Sequence, residues 1–124
     1  MTEQEIIHTI ALTRTPRINL INQRLLVNAL GSATAVFEHR HHILDALPEA
    51  HPALAEALKG MDALLPRAEE ELAFAQKSHI RCLGIADQDY PARLRECPDA
   101  PLLLYYLGQS DLNAMQVVSV VGTR

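Results

Sequence analysis

The sequence is poor in aromatic residues. It has no tryptophan and two phenylalanines, so leucine, isoleucine, valine and alanine have to form any core. At 124 residues and 48% hydrophobic, the chain can build one helical domain with a small appendage, but a complete doubly wound α/β domain will not fit. Its formal net charge of −4 excludes binding of nucleic acid through overall electrostatic attraction, which needs a positive surface. Any phosphate contact must therefore be local.

Cysteine is also scarce, and long apolar runs are missing. Cys82 and Cys97 have no CxxC spacing, which predicts two reduced thiols rather than a disulfide. No basic and apolar leader opens the chain, and no apolar run approaches the roughly 18 residues of a membrane span. These absences predict a cytoplasmic protein without a membrane partner.

The first helix is predicted from its end signals. Thr2 and Glu5 fit a capping box, in which the hydroxyl and the carboxylate each bind an amide that the first turn leaves free. The helix should extend to about Thr13, and Pro16 stops it. The residues expected in its buried face are Ile6, Ile7, Ile10 and Leu12.

Two more helices should follow. One starts at about Asn19 and ends at Gly31, because a residue without a side chain suits a left-handed helix cap. Ser32 then caps a short helix. The apolar residues assigned to these helices are Leu20, Ile21, Leu25, Leu26 and Leu30 in the first, and Ala35, Val36 and Phe37 in the second.

A faint internal repeat links this region to the next. The repeated residues are Leu12, Pro16 and Leu26, which recur at a constant offset as Leu44, Pro48 and Leu58. A helix over 52–59, stopped by Gly60, completes the second copy. Two short helices joined by a proline-marked turn, present twice, are the layout of paired helix-hairpin-helix units.

The turns of this repeat lack the glycines of that motif. Glycines let backbone amides approach a DNA phosphate closely, but the turns here read Pro16-Arg17-Ile18-Asn19 and Pro48-Glu49-Ala50-His51. Arg17, with Arg14 and Arg24 nearby, could still contact phosphate, whereas Glu49 would repel it. The helical region is therefore either a packing or protein-contact module or a binder of duplex DNA.

Two polar clusters are interpreted as solvated faces. Neighbouring side chains on a helix diverge, so neither the histidines of the run 39–42 nor the carboxylates of the run 69–71 can converge on one ion. The acidic run belongs to the longest predicted helix, over 62–78, with Ala68, Leu72 and Ala75 at helical spacing. Pro66 is tolerated if that helix begins near Leu64 or Leu65.

The last third changes from helical to strand patterning. Short strands are predicted over 80–83 and 102–107, with a polar turn at 87–89 and one helical turn after Tyr90-Pro91 that places Leu94 against the sheet. Tyr105 and Tyr106 should face opposite sides of their strand.

The final residues combine a strand with a turn that suits phosphate. The valine-rich run 117–121 predicts a strand buried on both faces, as in a parallel sheet. Backbone amides, a hydroxyl and a guanidinium at Gly122, Thr123 and Arg124 could together receive a phosphate or sulfate. No P-loop, G-x-S-x-G, H-E-x-x-H or complete G-x-G-x-x-G is present, so the sequence predicts no enzyme, no cofactor and no metal.

Four motifs in order resemble one family. They are Tyr90-Pro91 with Leu94, then Pro101-Leu102-Leu103-Leu104-Tyr105 with Gly108, then Leu112-Asn113, and last Val121-Gly122-Thr123-Arg124. This series resembles the entry to the Rossmann-like domain of the DNA-processing protein A (DprA/Smf) family. The resemblance implies a phosphate role for Arg124 toward single-stranded DNA, with Gly122 and Thr123 shaping the turn. It also implies protection of incoming DNA during natural transformation and loading of the RecA recombinase, and it leaves a homodimer open.

The expected fold is α+β and mostly α. Residues 1–78 should form a degenerate paired helix-hairpin-helix (SAM-like) bundle, and 79–124 the start of a truncated Rossmann-like domain, so we expect the N-terminal portion of a longer protein. We also expect this portion alone to bind single-stranded DNA poorly. Two alternatives remain: a helical protein-interaction module, or the N-terminal part of a Rossmann-like nucleotide-phosphate enzyme.

Overall fold

Helices fill most of the chain, and a small sheet follows them. The computed structural model describes residues 2–106. Within that range the helices are α1 (Glu3–Arg14), α2 (Leu20–Leu30), α3 (Ala33–Glu38), α4 (Ile43–Ala46), α5 (Pro52–Leu58), a 3₁₀ helix (Lys59–Leu64), α6 (Leu65–Lys77) and α7 (Ala92–Arg95). The strands are β1 (Arg81–Gly84) and β2 (Leu103–Tyr106). The predicted α+β, mostly α class is confirmed at this level, while the helix-hairpin-helix and Rossmann-like descriptions stay predictions.

Helix α1 begins at the predicted cap, but its second capping contact is different. The Thr2 hydroxyl accepts a hydrogen bond from the Glu5 amide at 3.1 Å. The Glu5 carboxylate accepts from the amides of Ala33 and Thr34 at 2.9 and 3.0 Å. The prediction of a reciprocal capping box is therefore wrong, because the glutamate satisfies the free amides at the start of α3 instead of those of α1.

Helix α2 starts after Asn19 and ends at Gly31, as predicted, and it is capped at both ends. Asn19 accepts from the Asn22 amide at 2.8 Å, and Gly31 is left-handed at φ 104°. Of the apolar residues assigned to this helix, Ile21 and Leu25 are 47% and 58% exposed, whereas Leu26 is buried. Helix α2 buries Gln23 and Leu26, and it presents Ile21 and Leu25 to solvent.

The region around Gly60 differs from its prediction, and α6 agrees. The chain continues through Gly60 as the 3₁₀ helix rather than stopping there. Helix α6 then starts at Leu65 with Pro66 in its first turn, where the missing N–H costs no helical hydrogen bond. Its buried residues are the three predicted ones, Ala68, Leu72 and Ala75.

The two strands pair antiparallel, with Arg81 opposite Tyr106 and Gly84 opposite Leu103. Leu103 lies in the same buried cluster as helical residues such as Leu12, Leu58 and Met61. A smaller cluster of Leu83, Tyr90 and Leu104 lies on the other side. Buried residues on both sides of the predicted boundary at 78/79 thus share a core, and the domain division itself stays a prediction.

Candidate functional site

The predicted phosphate turn, Gly122, Thr123 and Arg124, lies outside the described residues, as do the strand over 117–121 and the Leu112-Asn113 motif. The described chain ends with β2 at Tyr106. The three other arginines predicted to contact phosphate, Arg14, Arg17 and Arg24, lie within the described residues.

Arg14 forms an ion pair within the protein. Its guanidinium forms an ion pair with Glu71, and the two side chains are 21% and 18% exposed. The Tyr105 hydroxyl donates to the other Glu71 oxygen at 3.4 Å, and Arg67 lies 3.9 Å from the first. Burial first, and then the Glu71 charge, raise the pKa of Tyr105 above its ordinary value. The interpretation of 69–71 as a solvated face is wrong for Glu71, and the charge of Arg14 is already matched.

The other two arginines differ in accessibility. Arg24 is partly buried, and its Nη1 donates to the Cys97 carbonyl oxygen at 2.5 Å, joining α2 to the chain after α7. Arg17 is exposed in the Pro16 turn and adopts a left-handed φ of 70°, in a turn where the helix-hairpin-helix motif uses glycine. Of the three, Arg17 is the one whose guanidinium is placed to meet an external phosphate.

The Tyr90-Pro91 motif is structural. The Tyr90 ring is fully buried against Leu83 and Leu104, and its hydroxyl donates to the Pro101 carbonyl oxygen at 2.7 Å. Burial raises the pKa of Tyr90 to about 12. Leu94 packs against the same cluster, as predicted. The motif thus closes the loop between β1 and β2.

Arg95 is a key residue that sequence reasoning missed. Its Nε donates to the Ile85 carbonyl oxygen at 2.7 Å, and its Nη2 donates to the carbonyl oxygens of Asp87 at 2.6 Å and Tyr90 at 3.4 Å. One guanidinium therefore fixes the turn that follows β1. The available signal was an arginine one helical turn after Tyr90-Pro91 and close in sequence to the polar turn at 87–89.

Tyr105 and Tyr106 lie on opposite faces of β2, as predicted. Tyr105 packs against the cluster that includes the helices, and Tyr106 packs against the cluster around Tyr90. Both rings are partly buried. Their first role is packing, so stacking of bases on both rings is not needed to explain them.

Neither a metal cluster nor a membrane helix is present in the described part of the chain. Across residues 2–106, no three or more His, Cys, Asp or Glu side chains are grouped so that they could hold a metal ion. His39, His41 and His42 are exposed, in agreement with the interpretation of the histidine run as solvated. None of the helices in this range has the length and apolar character needed to span a membrane.

The two cysteines are free, as predicted. Cys97 is exposed, whereas Cys82 is partly buried in β1. Burial, and secondarily the Glu71 charge, raise the pKa of the Cys82 thiol. Cys82 is therefore a poor nucleophile in this setting.

A cleft of about 530 Å³ lies between α2 and the approach to β2. Its lining combines apolar side chains with polar groups from Thr13, Asn19, Gln23 and Asp99. Such groups can form hydrogen bonds to a ligand, but this lining lacks a nucleophile paired with a base.

The described residues define an α+β protein in which Tyr90 and Leu94 of the motif series pack beside a two-stranded antiparallel sheet. Residues 81–124 match the family model described as DNA recombination-mediator protein A. This match confirms the DprA family resemblance for that part of the chain, and the residues before Arg81 lie outside it. No curated protein and no solved structure shows significant similarity to the chain.

Proposed function

We propose that this protein acts in DNA recombination by binding single-stranded DNA, with Arg124 contacting a phosphate and Gly122 and Thr123 forming the turn that admits it. The observation that carries the proposal is the match of residues 81–124 to DNA recombination-mediator protein A, because that segment includes all three residues. A guanidinium beside free backbone amides can bind two oxygens of one phosphate.

The described scaffold is consistent with this role. Tyr90 and Arg95 bind backbone carbonyl oxygens of the loop between β1 and β2 and so fix that loop next to β2. A phosphate turn has to sit on a rigid strand, because a positional error of about 1 Å weakens a charged contact severely. In this proposal the motif residues position the turn, and they do not contact DNA.

The proposal extends to partners and chemistry. The protein would protect incoming single strands during natural transformation and assist loading of the RecA recombinase, without making or breaking a bond. It would act in the cytoplasm, where both cysteines remain reduced. The helical region would contribute weakly at most to phosphate binding, since Arg14 and Arg24 are bonded to Glu71 and to the Cys97 carbonyl.

The direct test is binding of a fluorescently labelled oligo(dT) to the wild-type chain and to Arg124→Ala, measured by anisotropy at several salt concentrations. We expect Arg124→Ala to weaken binding by about 1–3 kcal/mol, the usual effect of removing a charged hydrogen-bonding partner. The wild-type affinity should fall with salt at a slope of roughly 0.7 per neutralised phosphate, and the slope should drop by about that amount in the variant. If the encoded protein continues beyond Arg124, the same pair is measured in the longer chain, where we expect tighter binding.

The matched control is Arg93→Ala, which removes an exposed arginine from α7. Equal affinity of Arg124→Ala and wild type would remove Arg124 from the site. If no form of the protein binds oligo(dT), the DNA proposal fails. The exposed Ile21 and Leu25 would then favour the alternative of a protein-contact module.

A further inference from the structure

A chain of polar contacts connects α1 to α3 through a buried histidine. His8 on α1 is 5% exposed, and its Nδ1 lies 2.9 Å from the Thr34 hydroxyl oxygen. The Thr34 hydroxyl lies 2.5 Å from a Glu5 carboxylate oxygen, to which it donates. Glu5 in turn accepts from two amides at the start of α3. One carboxylate, one hydroxyl and one imidazole thus hold the N-terminus of α3 against α1.

The hydrogen bonds determine the tautomer of His8. A threonine hydroxyl can donate one hydrogen bond, and Thr34 donates it to the Glu5 carboxylate. The hydroxyl oxygen must then accept from His8, so neutral His8 carries its proton on Nδ1. A second proton can add only at Nε2.

The surroundings of the ring oppose that second proton. The His8 ring stacks on Phe37 of α3, with centroids 4.4 Å apart and an interplanar angle of 17°. The Arg40 guanidinium lies 3.8 Å from the centroid of the same Phe37 ring, and it is ion-paired with Asp62 of the 3₁₀ helix. The charged groups that act on His8 are Glu5 from α1, Glu38 from α3 and Arg40 from the turn after α3.

The balance of these effects favours the neutral ring. Burial lowers the pKa of His8, and the carboxylates of Glu5 and Glu38 only partly offset this, while Arg40 adds to the lowering. The packed state therefore binds a proton less readily than a state in which His8 is released into water. Packing of α3 is then complete above the ordinary pKa of about 6.5, and it weakens as the pH falls below that value.

We propose that His8, Thr34 and Glu5 form a proton-controlled latch that keeps α3 packed on α1 while His8 is neutral and releases α3 when His8 becomes charged. Release would be a local opening that exposes Ala33 and Val36, the two residues that α3 contributes to the main aliphatic core, while the core residues of the other helices stay packed. It would uncover Phe37, whose ring stacks on His8 in the packed state. None of the latch residues lies in the segment 81–124, which contains the proposed DNA site.

The test combines NMR titration of the histidine rings with amide hydrogen exchange between pH 5.5 and 7.5. We expect the His8 ring to titrate with a midpoint below 6.5, unlike an exposed histidine. Protection factors of the Val36 and His39 amides, whose hydrogen bonds belong to α3 and its C-terminal end, should fall by up to about tenfold per pH unit below the ordinary midpoint. Amides in α6 should show no such change.

Two variants make the test specific. His8→Gln removes the titrating group and should abolish the pH dependence of α3 protection, and His42→Gln, at an exposed histidine, should retain it. The same pH dependence in His8→Gln as in wild type would overturn the proposal. If His8→Gln does not fold, wild type alone decides: coincidence of the α3 opening with His8 titration supports the latch, and flat protection across the range refutes it.

Discussion

The helical region, residues 2–80, and the strand-bearing segment, residues 81–106, are stabilised in different ways. In the helical region, local side chains such as Thr2, Asn19 and Ser32 cap the helix ends, and aliphatic side chains fill the core. In the segment, Tyr90 and Arg95 bind loop carbonyls that regular structure leaves unpaired. The two regions share one aliphatic core, and the segment adds a few polar contacts that fix its loop.

The largest effect should follow a cavity in the shared core. Leu58 has no exposed surface and lies in the cluster that also contains Leu102 and Leu103. We expect Leu58→Ala to lower the free energy of unfolding by about 2–5 kcal/mol, measured by urea titration, because it removes buried methyl groups and leaves a void.

Leu44→Ala is the control, since Leu44 is 40% exposed and should lose far less. Because the core spans both regions, fluorescence of the tyrosines in the segment and the helical circular dichroism signal should report one transition. Separate transitions would show that the two regions are stabilised independently.

A smaller effect, confined to the segment, should follow loss of Arg95. We expect Arg95→Met to lower the free energy of unfolding by about 2 kcal/mol, because three carbonyl oxygens lose a charged donor. Limited proteolysis should show faster cleavage within 85–101 while α6 stays protected. Arg93→Met makes the same replacement at an exposed position, and its free energy of unfolding should be close to that of wild type. Equal effects of the two variants would exclude the role assigned to Arg95.

The smallest effect should follow removal of one hydroxyl. We expect Tyr90→Phe to cost about 1 kcal/mol at neutral pH, since one buried hydrogen bond to Pro101 is lost. Its pH dependence is more informative. The pKa of Tyr90 is about 12 in the folded protein, so its contribution is complete below pH 10 and is lost as the pH rises toward 12.

Urea titrations at pH 9.5 and 11.5 measure this difference. Wild type should lose more stability than Tyr90→Phe over the interval, because phenylalanine has no proton to lose in the unfolded state. Parallel losses in the two proteins would mean that the Tyr90 hydroxyl is not buried in the loop.

The parts of the fold that follow local rules could be predicted from the sequence. The caps at Thr2, Gly31 and Ser32, the first-turn position of Pro66 and the buried face of α6 all depend on residues a few positions apart. Both strands were located to within about two residues for the same reason.

Contacts between distant residues could not be predicted. Glu5 had a local partner in the capping box, yet it binds α3, 28 residues away. Glu71 belongs to an acidic run, yet Arg14 and Tyr105 approach it from 57 and 34 residues away. Ile21 and Leu25 are apolar, yet they are exposed, because α2 packs through Gln23 and Leu26. Of the candidate site, Arg124 and its neighbours rest on the family match, because the described residues stop before them.

The alternation along β2 has a consequence for how this chain assembles. Leu103 and Tyr105 pack in the cluster that includes the helices, and Leu104 and Tyr106 pack in the cluster around Tyr90, so both faces of β2 are packed. A shift of the β2 register by one residue would move each of its side chains to the opposite face, and the packing in both clusters would be lost. The helical core and the cluster around Tyr90 therefore specify the register of β2 together.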